Sequence, residues 1–198
     1  MLGLKLETDP RWVNIAEMEI EEILVDHAWC EQKAASSCIT LIVQYPQHEI
    51  LVETLSPVVI EEWNHFERVL NELKKRGIKL GPQRNDLYVN QLMKAKKGGG
   101  DPNSHLVEKL LIMAIIEARS CERFKLLATH IKDDDLKKFY HDLMISEAKH
   151  YMNFVRLAKK FKKDDEVEKR LDQLLLKEAE IIKNLAYNSK RIHGSDKV

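Results

Sequence analysis

Glycine and proline are scarce in this chain of 198 residues, at 7 and 5. So little turn-forming residue argues against an architecture of many short strands, while Leu, Ile, Glu, Lys and Ala form a mix that favours helix. Net charge is also missing, since 32 basic residues balance 32 acidic ones. No global field therefore draws the protein to nucleic acid or to a membrane, and any such contact must rest on a local patch. No window approaches the roughly 18 apolar residues of a membrane span. The three cysteines, Cys30, Cys38 and Cys121, lack the close pairing of a zinc site or redox motif. They read as reduced thiols of a cytoplasmic protein. The opening MLGLKLETDPRW has no basic stretch before a long apolar run, so no signal peptide is expected.

The length suits one compact domain over residues 1–198. Asp9-Pro10 resembles a cap followed by a first-turn proline, which predicts a short helix over about 10–16. A long helix is expected from near Glu19 to Gln44, where Tyr45-Pro46 ends it. The next carries Val58, Glu62, His65, Phe66, Val69 and Leu73 and stops at Gly77. Ser56-Pro57 is expected to start or kink it. Between Ile78 and Ser104 the periodicity breaks, which predicts a long connection with one short helix and a basic tip, KAKKGGG, at 94–100. Helices are then expected over about 104–130 and 136–161, with a turn at Asp133–Asp135, and a last amphipathic helix over roughly 165–189. Two helices, a long crossover, two helices and a C-terminal helix make an all-α chain with the connectivity of a ferritin-like four-helix bundle.

Glu62 and His65 stand three residues apart on the second long helix, and Glu147 and His150 repeat that spacing on the fourth. Three residues is nearly one turn, so each pair projects from one face and can bind the same metal. Each pair falls on the inward stripe, where an unpaired carboxylate would be costly. Each also has a glutamate about thirty residues upstream, Glu31 and Glu117. Antiparallel helices bring residues level when they lie equally far from the connecting turn. Counting from a turn near Lys132–Asp133 sets Glu147 opposite position 117 or 118, and counting from Tyr45-Pro46 pairs Glu31 with Glu62. Glu122 falls about 7 Å off at 1.5 Å per residue, as a supporting or surface group. The pattern is one Glu then Glu-x-x-His, twice, as in di-iron and di-manganese carboxylate bundles. Six oxygen-rich ligands with one imidazole per ion favour iron or manganese over zinc or copper.

Around these six, Glu61 and Ser146 are candidates to hold the ligand histidines by hydrogen bonds, and Cys121 to line the cavity. His27, one turn before Glu31, is expected to support the site or fill space. His48, His105, His130, His141 and His193 read as ordinary, and Trp12, Trp29 and Trp63 as packing residues.

The runs EARSCERF (Glu117–Phe124), EEWNHF (Glu61–Phe66), DHAWCEQKAAS (Asp26–Ser36), SEAKHY (Ser146–Tyr151) and KRIHG (Lys190–Gly194) resemble the tRNA hydroxylase family. Those enzymes hydroxylate the isopentenyl chain of 2-methylthio-N6-isopentenyl-adenosine beside the anticodon. The resemblance implies a non-haem di-iron monooxygenase with two iron ions, dioxygen as co-substrate and an external electron donor, hence a reductase or electron carrier as partner. Glu31, Glu62, His65, Glu117, Glu147 and His150 match the family's ligand positions. Its chemistry needs shielding from water, for which Met113, Ala114, Ile116, Cys121 and Phe124 are placed. A base of the anticodon loop can be splayed out into a pocket, with Lys94, Lys96, Lys97, Lys159, Lys160, Lys162 and Lys163 as candidate phosphate contacts. Rival readings are iron oxidation and storage, a rubrerythrin-like peroxidase, or a metal-free helical interaction protein. The chain has no Cys-x-x-Cys module of the kind rubrerythrins usually add.

Overall fold

The computed structural model describes residues 2–185 and 191–194. Among them the chain forms seven α-helices and no strand: α1 (Trp12–Met18), α2 (Ile20–Gln44), α3 (Glu49–Lys75), α4 (Leu87–Lys94), α5 (Pro102–His130), α6 (Asp134–Ala158) and α7 (Asp164–Asn184). By internal contacts these fall into two compact units. One holds residues 19–85 with 191 and 192, and the other residues 2–18, 86–185, 193 and 194. No helix among the described residues is long and apolar enough to cross a membrane.

The first unit is the α2–α3 hairpin. α2 ends where the Tyr45 N–H bonds the Leu41 carbonyl, and Pro46 then offers no N–H to continue. Of the two roles expected of Ser56-Pro57, starting α3 is not the one it takes: the helix begins eight residues earlier, at Glu49, and Pro57 lies inside its first half. A proline inside a helix costs about 3 kcal/mol. The turns flanking it bury Leu51, Leu55 and Val58 almost completely, and each such side chain contributes about 1.5–3 kcal/mol. Apolar burial outweighs the lost backbone bond. At the other end Gly77 takes φ +70°, and the N–H groups of Gly77 and Ile78 bond the carbonyls of Lys74 and Leu73 at 3.1 and 2.9 Å. Only glycine adopts that left-handed stop without strain.

The second unit is built on the α5–α6 hairpin, with α1, α4 and α7 against α5. Three aspartates set its helix starts. Asp86 accepts from Val89 N, Asp101 from Ser104 N, and Asp133 from Asp135 N and Leu136 N. Each satisfies a backbone N–H that a helix start leaves without an intrahelical partner. α5 is buried over most of its middle: Leu106, Leu110, Leu111, Ala114, Ile115, Ala118, Cys121 and Leu127 are fully enclosed. Helix limits differ from expectation mainly at the C-terminal ends. α6 stops at Ala158 rather than 161, and α7 at Asn184; residues 186–189 of the expected last helix lie outside the described residues.

Candidate metal centre

In the α2–α3 hairpin, Glu31 from α2 meets Glu62 and His65 from α3. One ligand atom from each lies within 4.8 Å of the others. His65 Nδ1 stands 3.5 Å from Glu31 Oε2 and 3.6 Å from Glu62 Oε2. All three are buried, at 5%, 0% and 5% exposure. His27, one turn before Glu31, brings its Nε2 to 2.5 Å from Glu31 Oε1. Burial pushes the Glu31 carboxyl upward, but the hydrogen bonds and positive charge of His27 and His65 together hold it well below the usual carboxylate range. His27 thus supports a candidate ligand directly, in line with the role expected for it.

The α5–α6 hairpin repeats the set. Glu117 from α5 meets Glu147 and His150 from α6, again with one ligand atom of each within 4.8 Å of the others. His150 Nδ1 lies 3.3 Å from Glu147 Oε2. Exposure is 5%, 1% and 0%. Within each hairpin, residues equally far from the connecting turn thus lie level, and every candidate ligand is buried. Each triad offers two carboxylates and one imidazole in a buried setting. Two carboxylates enclosed this closely call for a compensating cation, and oxygen-rich ligation with a single nitrogen suits iron or manganese. The donor chemistry fits one such ion per triad.

Close by, the Cys121 thiol bonds the Met144 carbonyl at 3.2 Å. Burial, reinforced by Glu147, pushes it up to about 12. It remains a thiol at neutral pH and acts as a small enclosed wall residue rather than a thiolate ligand. Ala114 and Phe124 are fully buried, whereas Met113 and Ile116 are half-buried. Ser146 is half-buried and Glu61 exposed, so neither is enclosed with the ligands.

Some features escaped the sequence reading. Glu122 is no surface group: it accepts from Thr8 N at 2.8 Å, from Thr8 Oγ1 at 2.7 Å and from Arg119. Arg119, fully enclosed, also bonds Glu178 through Nε and Nη2 at 2.9 and 3.0 Å and the Leu6 carbonyl at 2.9 Å. Arg123, also enclosed, lies 4.5 Å over the Trp12 ring and donates to the Gly194 carbonyl. His193 is not ordinary. It is 2% exposed, 3.0 Å from Ser120 Oγ and 3.4 Å from Asp86 Oδ2, with its ring 5.0 Å from that of Tyr88. Trp12 packs as expected, but Trp63 is 45% exposed. The signal available for Arg119 was its place among buried positions of an apolar helix. For His193 the signal was its place in the quoted run KRIHG, although its partners lie 73 and 107 residues away.

The lysine candidates divide. Lys94, Lys97, Lys160 and Lys163 are exposed, and Lys96, Lys159 and Lys162 half-buried. Lys159 is engaged with Glu168 at 2.5 Å and Asp164 at 3.6 Å. Of the quoted run KRIHG, Lys190 lies outside the described residues. Arg191 pairs with Asp26, whose other oxygen accepts from Ile192 N at 2.9 Å.

Comparison with known proteins agrees with this picture. The fold is similar to that of a solved structure described as protein 43 with aldehyde deformylating oxygenase activity from Synechococcus, with TM-score 0.91 and 34% identity over 97% of this chain and 96% of that one. The fold class is all-α and ferritin-like. Over 154 residues the chain is 40% identical to the tRNA 2-(methylsulfanyl)-N(6)-isopentenyladenosine(37) hydroxylase of Pseudomonas putida, covering 78% of this chain and 74% of the relative. It is 36% identical over 110 residues to the protein of the same name from Salmonella typhimurium, of whose length 40% is covered. A family model described as tRNA-(MS[2]IO[6]A)-hydroxylase (MiaE) matches residues 2–194. Both triads and all five quoted motifs fall inside that match, and the chain belongs to this hydroxylase family.

Proposed function

We propose that the protein hydroxylates the isopentenyl group of 2-methylthio-N6-isopentenyl-adenosine beside the anticodon of tRNA, using two iron ions held by Glu31, Glu62 and His65 and by Glu117, Glu147 and His150. The observation that carries this reading is the pair of buried triads of identical composition, one per hairpin, in a chain whose named relatives act on that nucleoside. Iron, when bound, supplies the reduction of dioxygen: with two electrons from an outside donor and two protons, one oxygen atom enters a C–H bond and the other leaves as water. The remaining roles fall to this chain's side chains. The four carboxylates balance the charge of the ions, and the two imidazoles set nitrogen donors at fixed positions. His27 holds Glu31 in orientation through its 2.5 Å contact. Ala114, Cys121 and Phe124 enclose the α5 side in apolar surface that keeps water away. We further propose that the two hairpins work as one domain and that the enzyme meets its tRNA in the cytoplasm, with a separate reductase or electron carrier as donor.

Iron analysis followed by incubation with isopentenylated tRNA, reductant and dioxygen tests the proposal, with nucleosides read by mass spectrometry. A gain of one oxygen on the prenyl adenosine is expected. Iron oxidation or peroxide consumption with unchanged nucleosides would replace the reading with a storage or peroxidase role.

A further inference from the structure

The loop that joins α4 to α5 carries Lys96, Lys97 and three consecutive glycines, and it is anchored rather than loose at its base. Buried Glu108 of α5 accepts from Lys97 N at 3.0 Å and from Arg170 Nε and Nη2 at 2.6 and 2.8 Å. Arg170 Nη2 also donates to the Ala95 carbonyl at 2.9 Å. Above this floor lies a cavity of about 510 Å³ whose lining includes Lys97, Gly98, Gly99, Gly100, Lys162 and Lys169. The two lysine runs, separate in sequence, thus border one cleft.

Its chemistry favours an anion. Four cations line it, Lys97, Lys162, Lys169 and Arg170, against two carboxylates, Glu108 and Glu166. Glu108 is already committed to Arg170 and the loop backbone. Lys162 pairs with Asp101 at 3.0 Å, but both side chains reach solvent, and such pairs are worth little. The Lys97 ammonium donates to the neutral Gln173 side chain, at 3.2 Å, and its charge also acts on Glu108. Beside the lining, Lys109, the residue after Glu108 on α5, is lowered by burial and by the positive charge of Lys96. Gly99 at φ +80° and Gly100 at φ +98° expose backbone that a ligand can approach closely. The lining contains no aromatic side chain, so nothing is present to stack on a base.

Resting on the hydroxylase reading above, we propose that this cleft is where backbone phosphates of the tRNA are held, by Lys97, Lys162 and Lys169 across the glycine loop. Lys159, tied to Glu168 and Asp164, contributes little. The cleft positions the RNA and the triads act on the base.

The test measures affinity for isopentenylated tRNA between 50 and 200 mM salt. Wild type is compared with the triple variant Lys97→Ala/Lys162→Ala/Lys169→Ala and its arginine counterpart Lys97→Arg/Lys162→Arg/Lys169→Arg, with Lys159→Ala as a further comparison. Each lost phosphate contact removes about 0.7–0.9 from the slope of log affinity against log salt. The alanine triple is expected to bind roughly ten- to a hundredfold more weakly at low salt with a slope smaller by about 2, the arginine triple to bind like wild type, and Lys159→Ala to change affinity less than twofold. An alanine triple with wild-type affinity and slope overturns the cleft assignment, as does an arginine triple as weak as the alanine one. The same tRNA samples are analysed for oxygen gain: hydroxylated tRNA with an unaffected triple refutes the cleft alone, whereas tRNA left unmodified by wild type refutes the hydroxylase reading.

Discussion

Replacing Arg119 by methionine tests how the α5–α6 unit holds itself together. Arg119 has no exposed surface and donates to Glu178, Glu122, Thr8 and the Leu6 carbonyl, so it ties the N-terminal segment, α5 and α7. Methionine fills most of the volume but strands Glu178, itself fully enclosed, without its guanidinium. Removing one partner of a buried ion pair costs about 3–5 kcal/mol. For a chain of this size each kcal/mol lowers Tm by about 2–4 °C, which gives a fall of roughly 6–20 °C. The sign with pH follows from Glu178. Burial already raises its carboxyl above the ordinary value, with Arg119 pulling it back down; without Arg119 it rises further. A carboxyl with a raised folded-state pKa favours the folded protein at low pH and loses that benefit as pH climbs. The deficit of Arg119→Met is therefore largest at neutral pH and shrinks toward the ordinary carboxyl range, where Glu178 is neutral. Adding Glu178→Leu is expected to recover half or more of the loss, since it removes the stranded charge. Urea unfolding followed by circular dichroism at pH 7 and pH 5 reads all of this. A loss below about 1 kcal/mol at pH 7, or a deficit that grows on acidification, refutes the reasoning.

Glu117→Ala and His65→Ala each remove one donor from a different triad, and each is expected to lower bound iron by about one ion per chain and hydroxylation by more than a hundredfold; full iron content by elemental analysis would contradict the ligand assignment. His27→Phe keeps the ring but removes the partner of Glu31, and iron affinity is expected to fall 10–100-fold, read by competition with a chelator. Gly100→Ala forces a side chain onto φ +98° with its Cβ about 3.0 Å from Ser104 Cβ, so a loss of about 1–3 kcal/mol is expected in denaturant unfolding, against under 0.5 for Gly98→Ala. Asp133→Ala deletes the side chain that accepts two N–H groups at the start of α6, at about 1 kcal/mol in the same assay.

What the sequence disclosed was mostly what helix geometry makes periodic. Glu62 with His65, and Glu147 with His150, were visible as i,i+3 pairs, and their partners Glu31 and Glu117 followed because a helical hairpin pairs residues by their distance from its turn. Connectivity and most helix limits were legible for the same reason. A local signal misled at Trp63, an aromatic left facing solvent. Long-range polar partnerships were hidden altogether. Nothing near Arg119 in sequence announces Glu178, 59 residues on, nor does the lysine run at 94–97 announce that Lys162 borders the same cleft.

The two halves of the internal repeat are not twins. Four residues before Glu31 stands His27, its ring nitrogen on the carboxylate; four before Glu117 stands Met113, which has no proton to donate. The two proposed ion positions match in ligand type but differ in this neighbour, and a slow chelator is expected to strip them in two separate phases, a kinetic inequality written into one helical turn.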